Sequence, residues 1–505
     1  MDQPTAHTPP RSRYAVLAAI CLAALVLPLS FTGGAVATPA IGQSFNAGPT
    51  ALAWVTNAFM LSFGSLLMAA GTLADRYGRK CLFSWGLGLF VFASLLLATV
   101  PSMLWLDGLR AVQGVAAAAA LASGSAALAQ EFEGAARTRA FSLLGTTFGL
   151  GLAFGPMACG LLVEQFGWRS VFACTALLAA VALLVALWQM RESRNPAPGR
   201  FDLAGVLAFS ATLVLFTTAL IMGPQLGWGS TLILWLFGAA LMGLACFIAV
   251  ELRAPQPMLA LNLLRYPRFV GVQVLPLGTC YCYVVLIVLL PLRLIGLEQV
   301  SPLRSGVILL ALSAPMLVVP LLAAWLTRWA SAGTLCALGF LLAAAGLYAL
   351  AQVPAGATPL LVAALLVIGA GTGLPWGLMD GLAVSVVPRE QAGMAAGVFN
   401  TTRVAGEGVA LAITFALLTA LVATYLPGAL SQGHPRLAQQ LVMGDLSQAQ
   451  GLDPALLRAA YLQGFNALLL VLMAFTLASA AAAYFFLKHP APPEHEQQRL
   501  PAHTS

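Results

Sequence analysis

Five charged side chains lie within long apolar stretches of this chain, where an ionised group is costly. On insertion scales, a charged residue at the centre of a membrane helix costs about 2.5–3.5 kcal/mol, so its presence there indicates a function. The five residues are Asp107, Arg110, Asp380, Arg403 and Glu407. Carboxylates in such a position can take up and release protons. We predict proton coupling at Asp380, Glu407, Arg110 and Asp107.

The spacing of these charges leaves a simpler alternative open. Asp107 and Arg110 are three residues apart, and Arg403 and Glu407 are four apart, so on a helix each acid can face the neighbouring arginine. Paired in this way, the charges would only neutralise each other. Asp380 has no opposite charge within one helical turn, so either it carries the proton or it lies in water near the cytoplasmic mouth.

Other kinds of chemistry lack the residues they need. Neither Lys80 nor Lys488 follows the glycine of a phosphate-binding loop, so we expect no ATPase site. All five histidines lie in the terminal segments or in a predicted external loop, which leaves none in the apolar stretches for a metal site or a hydrolase. The eight cysteines show no Cys-x-x-Cys spacing. We therefore predict no cofactor, no metal and no enzyme activity.

The composition indicates that membrane helices carry these residues. Of the 505 residues, 60% are hydrophobic and 8% are charged, and the mean hydropathy is +0.90. A soluble domain has about 25% charged residues, so a soluble enzyme, a disordered chain and a nucleic-acid-binding protein are excluded. The apolar runs are too long for β-barrel strands and favour helices. The 14 predicted spans are 15–38, 52–74, 81–100, 103–129, 140–163, 170–190, 203–223, 231–250, 269–294, 305–326, 333–351, 359–385, 396–424 and 464–487.

The basic residues predict how these spans are oriented. With a cytoplasmic N-terminus, 17 of the 24 lysines and arginines fall in inside segments and five in outside segments. This positive-inside bias favours an even number of spans with both termini in the cytoplasm. A cleaved signal peptide, ending at Ala35-Val36-Ala37, is the alternative for the N-terminus. The apolar run from Tyr14 is longer than the apolar region of a signal peptide, which disfavours cleavage.

The predicted external loop 426–463, between spans 13 and 14, contains a helix signal. Asp453-Pro454 is typical of an N-cap followed by a first-turn proline, and it predicts a helix through Leu457 and Tyr461. This helix is either an external cap or a surface helix that packs on the bundle.

One loop motif points to a known family. Residues 71–80 read GTLADRYGRK and lie between predicted spans 2 and 3. Glycine at 71 would allow close helix approach, and glycine at 78 would allow the chain to reverse. The segment resembles the cytoplasmic loop motif of the major facilitator superfamily at each key position. The residues that carry the resemblance are Gly71, Asp75, Arg76, Gly78 and Arg79.

Two further segments fit the same family. Residues 106–114, LDGLRAVQG, resemble its fourth-helix motif, in which a buried arginine is implicated in proton transfer, and Arg110 is that residue. Residues 151–160, GLAFGPMACG, resemble the fifth-helix signature of the antiporter branch, with Cys159 in place of one glycine. Glycines at 145, 149, 151 and 155 predict close packing of this helix, and the proline predicts a kink. The motif residues are Gly151, Gly155, Pro156 and Gly160.

From about residue 15 to 487, the chain resembles the fourteen-helix drug:proton antiporters of this superfamily. The resemblance implies an all-α integral membrane fold with two pseudo-symmetric six-helix bundles, at 1–200 and 261–505, and two additional helices at 201–260. Such halves rock around a central site. It implies export of small amphiphilic, drug-like molecules in exchange for protons. A proton-coupled uptake symporter of a small metabolite and a non-transporting sensor on this scaffold stay open.

The chain departs from the family pattern in the first helix. Members of this branch carry an aspartate there, shortly before an A-L-P sequence, whereas Ser30 takes its place here and span 1 contains no carboxylate. The departure favours neutral, zwitterionic or anionic cargo over the dications of typical members. Candidate residues that line the substrate cavity, with simple packing as the alternative, are Trp54, Asn57, Trp376, Asn400 and Arg403.

The resemblance also implies the setting in which the protein works. We expect a monomer in the bacterial inner membrane, with lipid, protons and a small-molecule substrate as its partners and no nucleic acid. Whether a periplasmic adaptor takes part is left open.

Overall fold

The structure, a computed structural model, contains 14 helices that are long and apolar enough to cross a membrane, as predicted. It describes residues 13–132, 134–194, 202–254, 259, 263, 265–354, 356–387, 392–427, 437–444 and 453–487, and no strand occurs among them. The spans, numbered in chain order, are Arg13–Phe45, Pro49–Tyr77, Arg79–Thr99, Met103–Glu131, Gly134–Phe166, Arg169–Gln189, Leu203–Leu226, Thr231–Arg253, Pro267–Leu297, Pro302–Leu326, Ala332–Ala351, Thr358–Ser385, Ala392–Tyr425 and Pro454–Leu487. Helices satisfy their own backbone hydrogen bonds, which a chain in lipid requires.

The spans pack in two groups. In the first group, span 1 packs on spans 5 and 6, span 3 on spans 4 and 6, and span 2 on span 4. In the second group, span 11 packs on spans 12 and 14, span 10 on span 12, and span 13 on span 14. We call spans 1–6 the N-half and spans 9–14 the C-half.

The two halves meet mainly along two helix pairs, spans 5 and 10 and spans 2 and 13, and span 1 also packs on span 9. At the second pair the backbones touch: a Cβ atom on Gly64 of span 2 would lie 2.5 Å from the Cα atom of Ala405 of span 13. Only glycine fits such an approach. Span 7 packs on span 8 and also on spans 2 and 13, so the additional pair lies against both halves at this seam.

Span 9 is less regular than its apolar sequence predicts. The α-helix Pro267–Thr279 is followed by the π-helix Cys280–Val284, the α-helix Val285–Pro291 and a second π-helix, Leu292–Leu297. π-Segments are rare and mark points where helix geometry is adjusted, frequently at functional sites. Neighbouring spans hold the first of them: the Tyr283 hydroxyl donates to Ser313 at 3.0 Å, and the Cys282 thiol lies 3.3 Å from the Thr372 hydroxyl.

The helix predicted from Asp453-Pro454 exists, but it is not a separate surface helix. It runs without a break into span 14 and forms a single helix, Pro454–Leu487. The Asp453 carboxylate accepts from the backbone N–H of Ala455 at 2.9 Å, as an N-terminal cap would. The predicted loop is correspondingly shorter, and most of its remaining length lies outside the described residues. Within it, a short helix, Leu437–Val442, is buried.

Large apolar side chains are exposed on the outer faces of most spans, including Trp85, Trp188, Trp235, Leu241 and Met242. A soluble protein rarely exposes contiguous apolar surface on this scale. These faces are suited to lipid, which agrees with the prediction of an integral membrane protein.

Candidate transport site and gating contacts

Arg110 of span 4 is buried inside the N-half and all of its observed hydrogen bonds are to neutral groups. Its Nε donates to the carbonyl of Val55 at 2.8 Å, and its Nη1 donates to the Ser30 hydroxyl at 3.0 Å and to Gln113 Oε1 at 2.6 Å. Its Nη2 has no hydrogen-bond partner. The face of the guanidinium lies 4.5 Å from the ring centre of Phe59, a cation–π contact.

Asp107 does not pair with Arg110, although the two are three residues apart. No ion pair within 4.0 Å joins these described side chains, and Asp107 Oδ1 is buried without a hydrogen-bond partner. The neutralising pair that the spacing allows is therefore not formed here. The guanidinium turns instead toward spans 1 and 2, where Ser30 and Val55 accept its hydrogen bonds.

Arg403 pairs with Asp380 rather than with Glu407. Its Nη1 lies 3.4 Å from Asp380 Oδ1, and the exposed fractions of the two side chains are 11% and 60%. Asp380 lacks a partner within its own helical turn, but span 13 supplies one from across the helix interface. The alternative in which Asp380 is open to water agrees with its high exposure, although the acid is not isolated.

Aromatic rings from both halves surround Arg403. Its guanidinium carbon lies 5.8 Å from the ring centre of Phe148 in span 5 and 5.8 Å from that of Phe399 in span 13. Phe148 belongs to the N-half, so the Asp380–Arg403 pair lies where the two halves face each other. Sequence reasoning missed Phe148 because nothing in span 5 distinguishes it from a packing phenylalanine.

Glu407 is on span 13 and makes no hydrogen bond or ion pair with any described residue. Its electrostatic neighbours are Arg403 on the same helix and Cys280 of span 9. The contacts of the two adjacent glycines show which helices lie near this part of span 13. A Cβ atom on Gly406 would lie 2.9 Å from Leu277 of span 9, and one on Gly408 would lie 3.2 Å from the Cβ of Met60 in span 2. Glu407 is thus an unpaired acid on span 13, the helix of the C-half that packs on span 2 of the N-half.

The predicted lining residues fall into two classes. Asn57 is fully buried; its Nδ2 donates to the carbonyl of Ala53 at 3.0 Å, and its Oδ1 has no partner. Trp54, Trp376 and Asn400 are partly buried, and the ring centre of Trp376 lies 6.1 Å from that of Tyr283. The structure brings Trp376 to the π-segment of span 9, a neighbour that the sequence did not reveal.

The loop motif folds on itself and on the end of span 6. Arg79 pairs with Asp75 at 2.8 Å, and Glu192, which follows span 6, accepts from the backbone N–H groups of Lys80 at 3.2 Å and Cys81 at 3.0 Å. Gly78 has a φ of 115°, and a Cβ there would lie 2.6 Å from the Glu192 carboxyl carbon. The positive φ requires glycine, as predicted for a chain reversal, whereas the flexible Glu192 side chain could move away from an added Cβ.

The role predicted for Gly71 is wrong. A Cβ atom at this position would meet no atom within 4 Å, so Gly71 does not mediate close helix packing in this conformation. Arg76 also has no partner across the loop among the described residues; its guanidinium carbon lies 5.7 Å from the ring centre of its neighbour Tyr77.

Two of the four packing glycines predicted in span 5 make close contacts. A Cβ on Gly151 would lie 2.5 Å from Cγ of Pro28, and one on Gly155 would lie against the Thr32 hydroxyl and 3.3 Å from Cβ of Thr32, both in span 1. Gly145 and Gly149, which were also expected to pack, have open space around them.

The end of span 5 packs on the second half. A Cβ on Gly160 would lie 2.8 Å from the carbonyl carbon of Pro302 in span 10. On the other side of the contact, a Cβ on Gly306 would lie 2.6 Å from the carbonyl oxygen of Pro156. The antiporter motif therefore forms part of the contact between the halves at the predicted outer end.

Further polar contacts at the predicted outer end were not foreseen. Glu164 of span 5 accepts from the backbone N–H of Leu303 in span 10 at 3.1 Å. Gln439, in the buried external helix, donates to the Thr50 hydroxyl at 3.5 Å, and Thr50 donates to Gln225 of span 7 at 2.5 Å. These contacts join residues that are far apart in sequence, and no motif marks them.

Comparison with known proteins agrees with this architecture. Residues 20–411 match the family model of the Major Facilitator Superfamily. The chain is 30% identical to "Multidrug resistance protein Stp" of Mycobacterium tuberculosis (strain CDC 1551 / Oshkosh), over 81% of this chain and 77% of that protein. It is 28% identical to the "Tetracenomycin C resistance and export protein" of Streptomyces glaucescens, over 100% of this chain and 98% of the relative.

A solved structure shares the fold. A bacterial homologue of the human lysosomal transporter Spinster, solved in an inward-facing and unoccupied conformation, superposes with a TM-score of 0.65 at 16% identity, over 94% of this chain and 96% of that chain. The match to the family model and the relative at 30% identity extend this agreement to the sequence. The chain is a multi-pass membrane protein and belongs to the major facilitator superfamily.

Proposed function

We propose that this protein exports small amphiphilic, drug-like molecules in exchange for protons by alternating access. The observation that carries the proposal is the position of Glu407, an unpaired acid on span 13, the helix whose backbone touches span 2 of the other half at Gly64. Relatives named for multidrug resistance and for tetracenomycin C resistance and export support this direction of transport.

The contacts between the halves support a cleft that is closed to the outside. Glu164 and Leu303, Gly160 and Pro302, and the external helix all join the halves at the predicted outer end. By contrast, the hydrogen bonds and ion pairs of the cytoplasmic loop motif in the described chain stay within the N-half. A conformation of this kind would receive substrate from the cytoplasm.

Proton binding would reverse this preference. Protonation of Glu407 or Asp380 and binding of substrate favour different states of the same structure, so each weakens the other without sharing a site. Protonated Asp380 would also release Arg403 from its ion pair. An inward proton gradient drives the cycle, since each charge crossing 100 mV contributes about 2.3 kcal/mol.

The setting of this cycle is part of the proposal. We place the protein in the bacterial inner membrane as a monomer with both termini in the cytoplasm, acting without a cofactor or a metal and without enzyme activity. The predicted positive-inside bias supports the orientation.

The test is dye transport in inverted membrane vesicles, with sulforhodamine B and rhodamine 6G as probes. We expect uptake into inverted vesicles that requires a proton gradient, and loss of coupling in Glu407→Gln and Asp380→Asn. Glu131→Gln, at the far end of span 4, is the matched control and should transport normally. Uptake that survives complete collapse of the gradient would contradict the proposal. Accumulation only in right-side-out vesicles would favour an uptake symporter instead.

A further inference from the structure

We propose that Ser30 sets the charge preference of transport, and that the preferred substrates are anionic amphiphiles. Ser30 leaves the buried guanidinium of Arg110 without an ion-pair partner in the N-half, and this positive charge would favour anionic over cationic substrates. The inference rests on the proposed function, because it names the substrate class of the same transporter.

The first observation is the contact between the two side chains. The Ser30 hydroxyl accepts a hydrogen bond from Arg110 Nη1 at 3.0 Å, and both residues are fully buried. The resemblance places an aspartate at this position in related antiporters. An aspartate here would lie against the guanidinium and form an ion pair, whereas the serine hydroxyl satisfies one N–H and leaves the charge in place.

The second observation is that no acid among the described residues forms an ion pair with Arg110. The helices that contact the Arg110 side chain are spans 1, 2 and 6, through Ser30, Val55, Phe59 and Phe172. Spans 1 and 6 contain no acid, and the single acid of span 2, Asp75, lies at its far end and is paired with Arg79. Asp107, on span 4 itself, interacts electrostatically with Arg110 but forms no ion pair with it, so it offsets the positive charge only in part.

The third observation is an unused donor. Arg110 Nη2 is buried without a hydrogen-bond partner, and it faces Gly34 of span 1, where a Cβ atom would lie 3.2 Å away. A buried donor without a partner is costly, and a buried charge without a counter-charge more so. The second cost falls when a negative charge binds nearby, and an anionic substrate would supply that charge without touching the guanidinium.

The size of the effect follows from Coulomb's law. At the effective dielectric constant of about 20 that describes protein sites, a unit charge roughly 10 Å from the guanidinium is favoured or disfavoured about tenfold or more. Replacing Ser30 with aspartate would add a negative charge beside Arg110 and cancel this electrostatic preference. We therefore expect the ratio of anion to cation affinity to change by at least about tenfold, since the two probes shift in opposite directions.

The experiment measures binding of sulforhodamine B, an anion, and rhodamine 6G, a cation on a related ring system. Fluorescence polarisation with the purified full-length protein in nanodiscs gives the ratio of the two Kd values for wild type, Ser30→Asp and Ser30→Asn. We expect wild type and Ser30→Asn to prefer sulforhodamine B, and Ser30→Asp to lose or reverse the preference. An unchanged ratio in Ser30→Asp would overturn the inference.

If gel filtration and thermal unfolding show that Ser30→Asp does not fold, the ratio of the two Kd values for the wild-type protein still tests the inference. A wild-type preference for rhodamine 6G would by itself overturn it. The proposed function fails in a different way, when neither dye moves with the proton gradient in vesicles. Gradient-driven transport of rhodamine 6G alone would contradict the inference about anionic substrates but would still support proton-coupled export.

Discussion

The guanidinium of Arg403 lies 3.4 Å from the carboxylate of Asp380, which is 23 residues away and on another helix. Glu407, only four residues from Arg403 on the same helix, has no such partner among the described residues. Asp380 and Glu407 are thus in different states, one in an ion pair and the other without one. This difference agrees with Glu407 as the carboxylate that binds the proton. It also agrees with the Asp380–Arg403 ion pair as a contact that breaks when the halves move relative to each other.

Substitution at Gly64 should damage the seam between the halves. Gly64→Val would push the added side chain into the backbone of Ala405, and overpacking of this kind costs about 1–3 kcal/mol. We expect a lower midpoint of thermal unfolding in detergent. Gly71→Val, on the same helix but with open space around it, is the matched control and should unfold like wild type. Equal destabilisation by both variants would show that helix propensity, and not the contact, is responsible.

Glu192 should hold the cytoplasmic loop in place. Its carboxylate accepts two backbone N–H groups, and Glu192→Gln would weaken these charge-assisted bonds by about 1 kcal/mol at this exposed site. We expect faster hydrogen exchange at the amides of Lys80 and Cys81. Glu131→Gln should leave that exchange unaltered. Slow exchange in the Glu192 variant would mean that the helix itself protects these amides.

A cross-link at the outer end should stop transport. Gln439 Nε2 and Thr50 Oγ1 lie 3.5 Å apart across the halves, so thiols introduced by Thr50→Cys and Gln439→Cys should be bridged by a short bis-methanethiosulfonate reagent. Because alternating access requires these residues to separate, we expect dye transport to fall to background and to recover with reductant. Each single variant serves as the control. Full transport with the cross-link in place would mean that this contact does not open.

Hydropathy and charge were sufficient to predict all 14 spans, because length and apolar composition decide whether a helix crosses a membrane. Local spacing was less informative about partners. The four-residue spacing favours Arg403 with Glu407, yet tertiary packing supplies Asp380, and no local rule can weigh a partner on another helix. The sequence predicts a separate helix from Pro454, whereas the structure has one continuous helix with span 14. The polar residues between this start and the apolar run 464–487 hide the continuity, because hydropathy marks only the apolar part of a helix.

Motif resemblance predicted some contacts and failed at others. Gly78 has the positive φ that the predicted chain reversal requires, whereas a Cβ atom on Gly71, predicted to allow close helix approach, would meet no atom within 4 Å. A motif specifies which residue type occurs at a position, but it does not specify which contact that residue makes in a given conformation, as at Gly71. The π-segments of span 9 have no sequence signature, so Tyr283 could not be placed beside Trp376 in advance.

The most direct test of the account measures protons moved by substrate. Liposomes containing the purified protein, the pH indicator pyranine and sulforhodamine B are diluted into dye-free buffer at the same pH. We predict that dye leaving down its gradient carries protons inward, so the interior acidifies, and that Glu407→Gln abolishes this acidification. Dye efflux through the wild-type protein with no change in internal pH would contradict proton-coupled exchange.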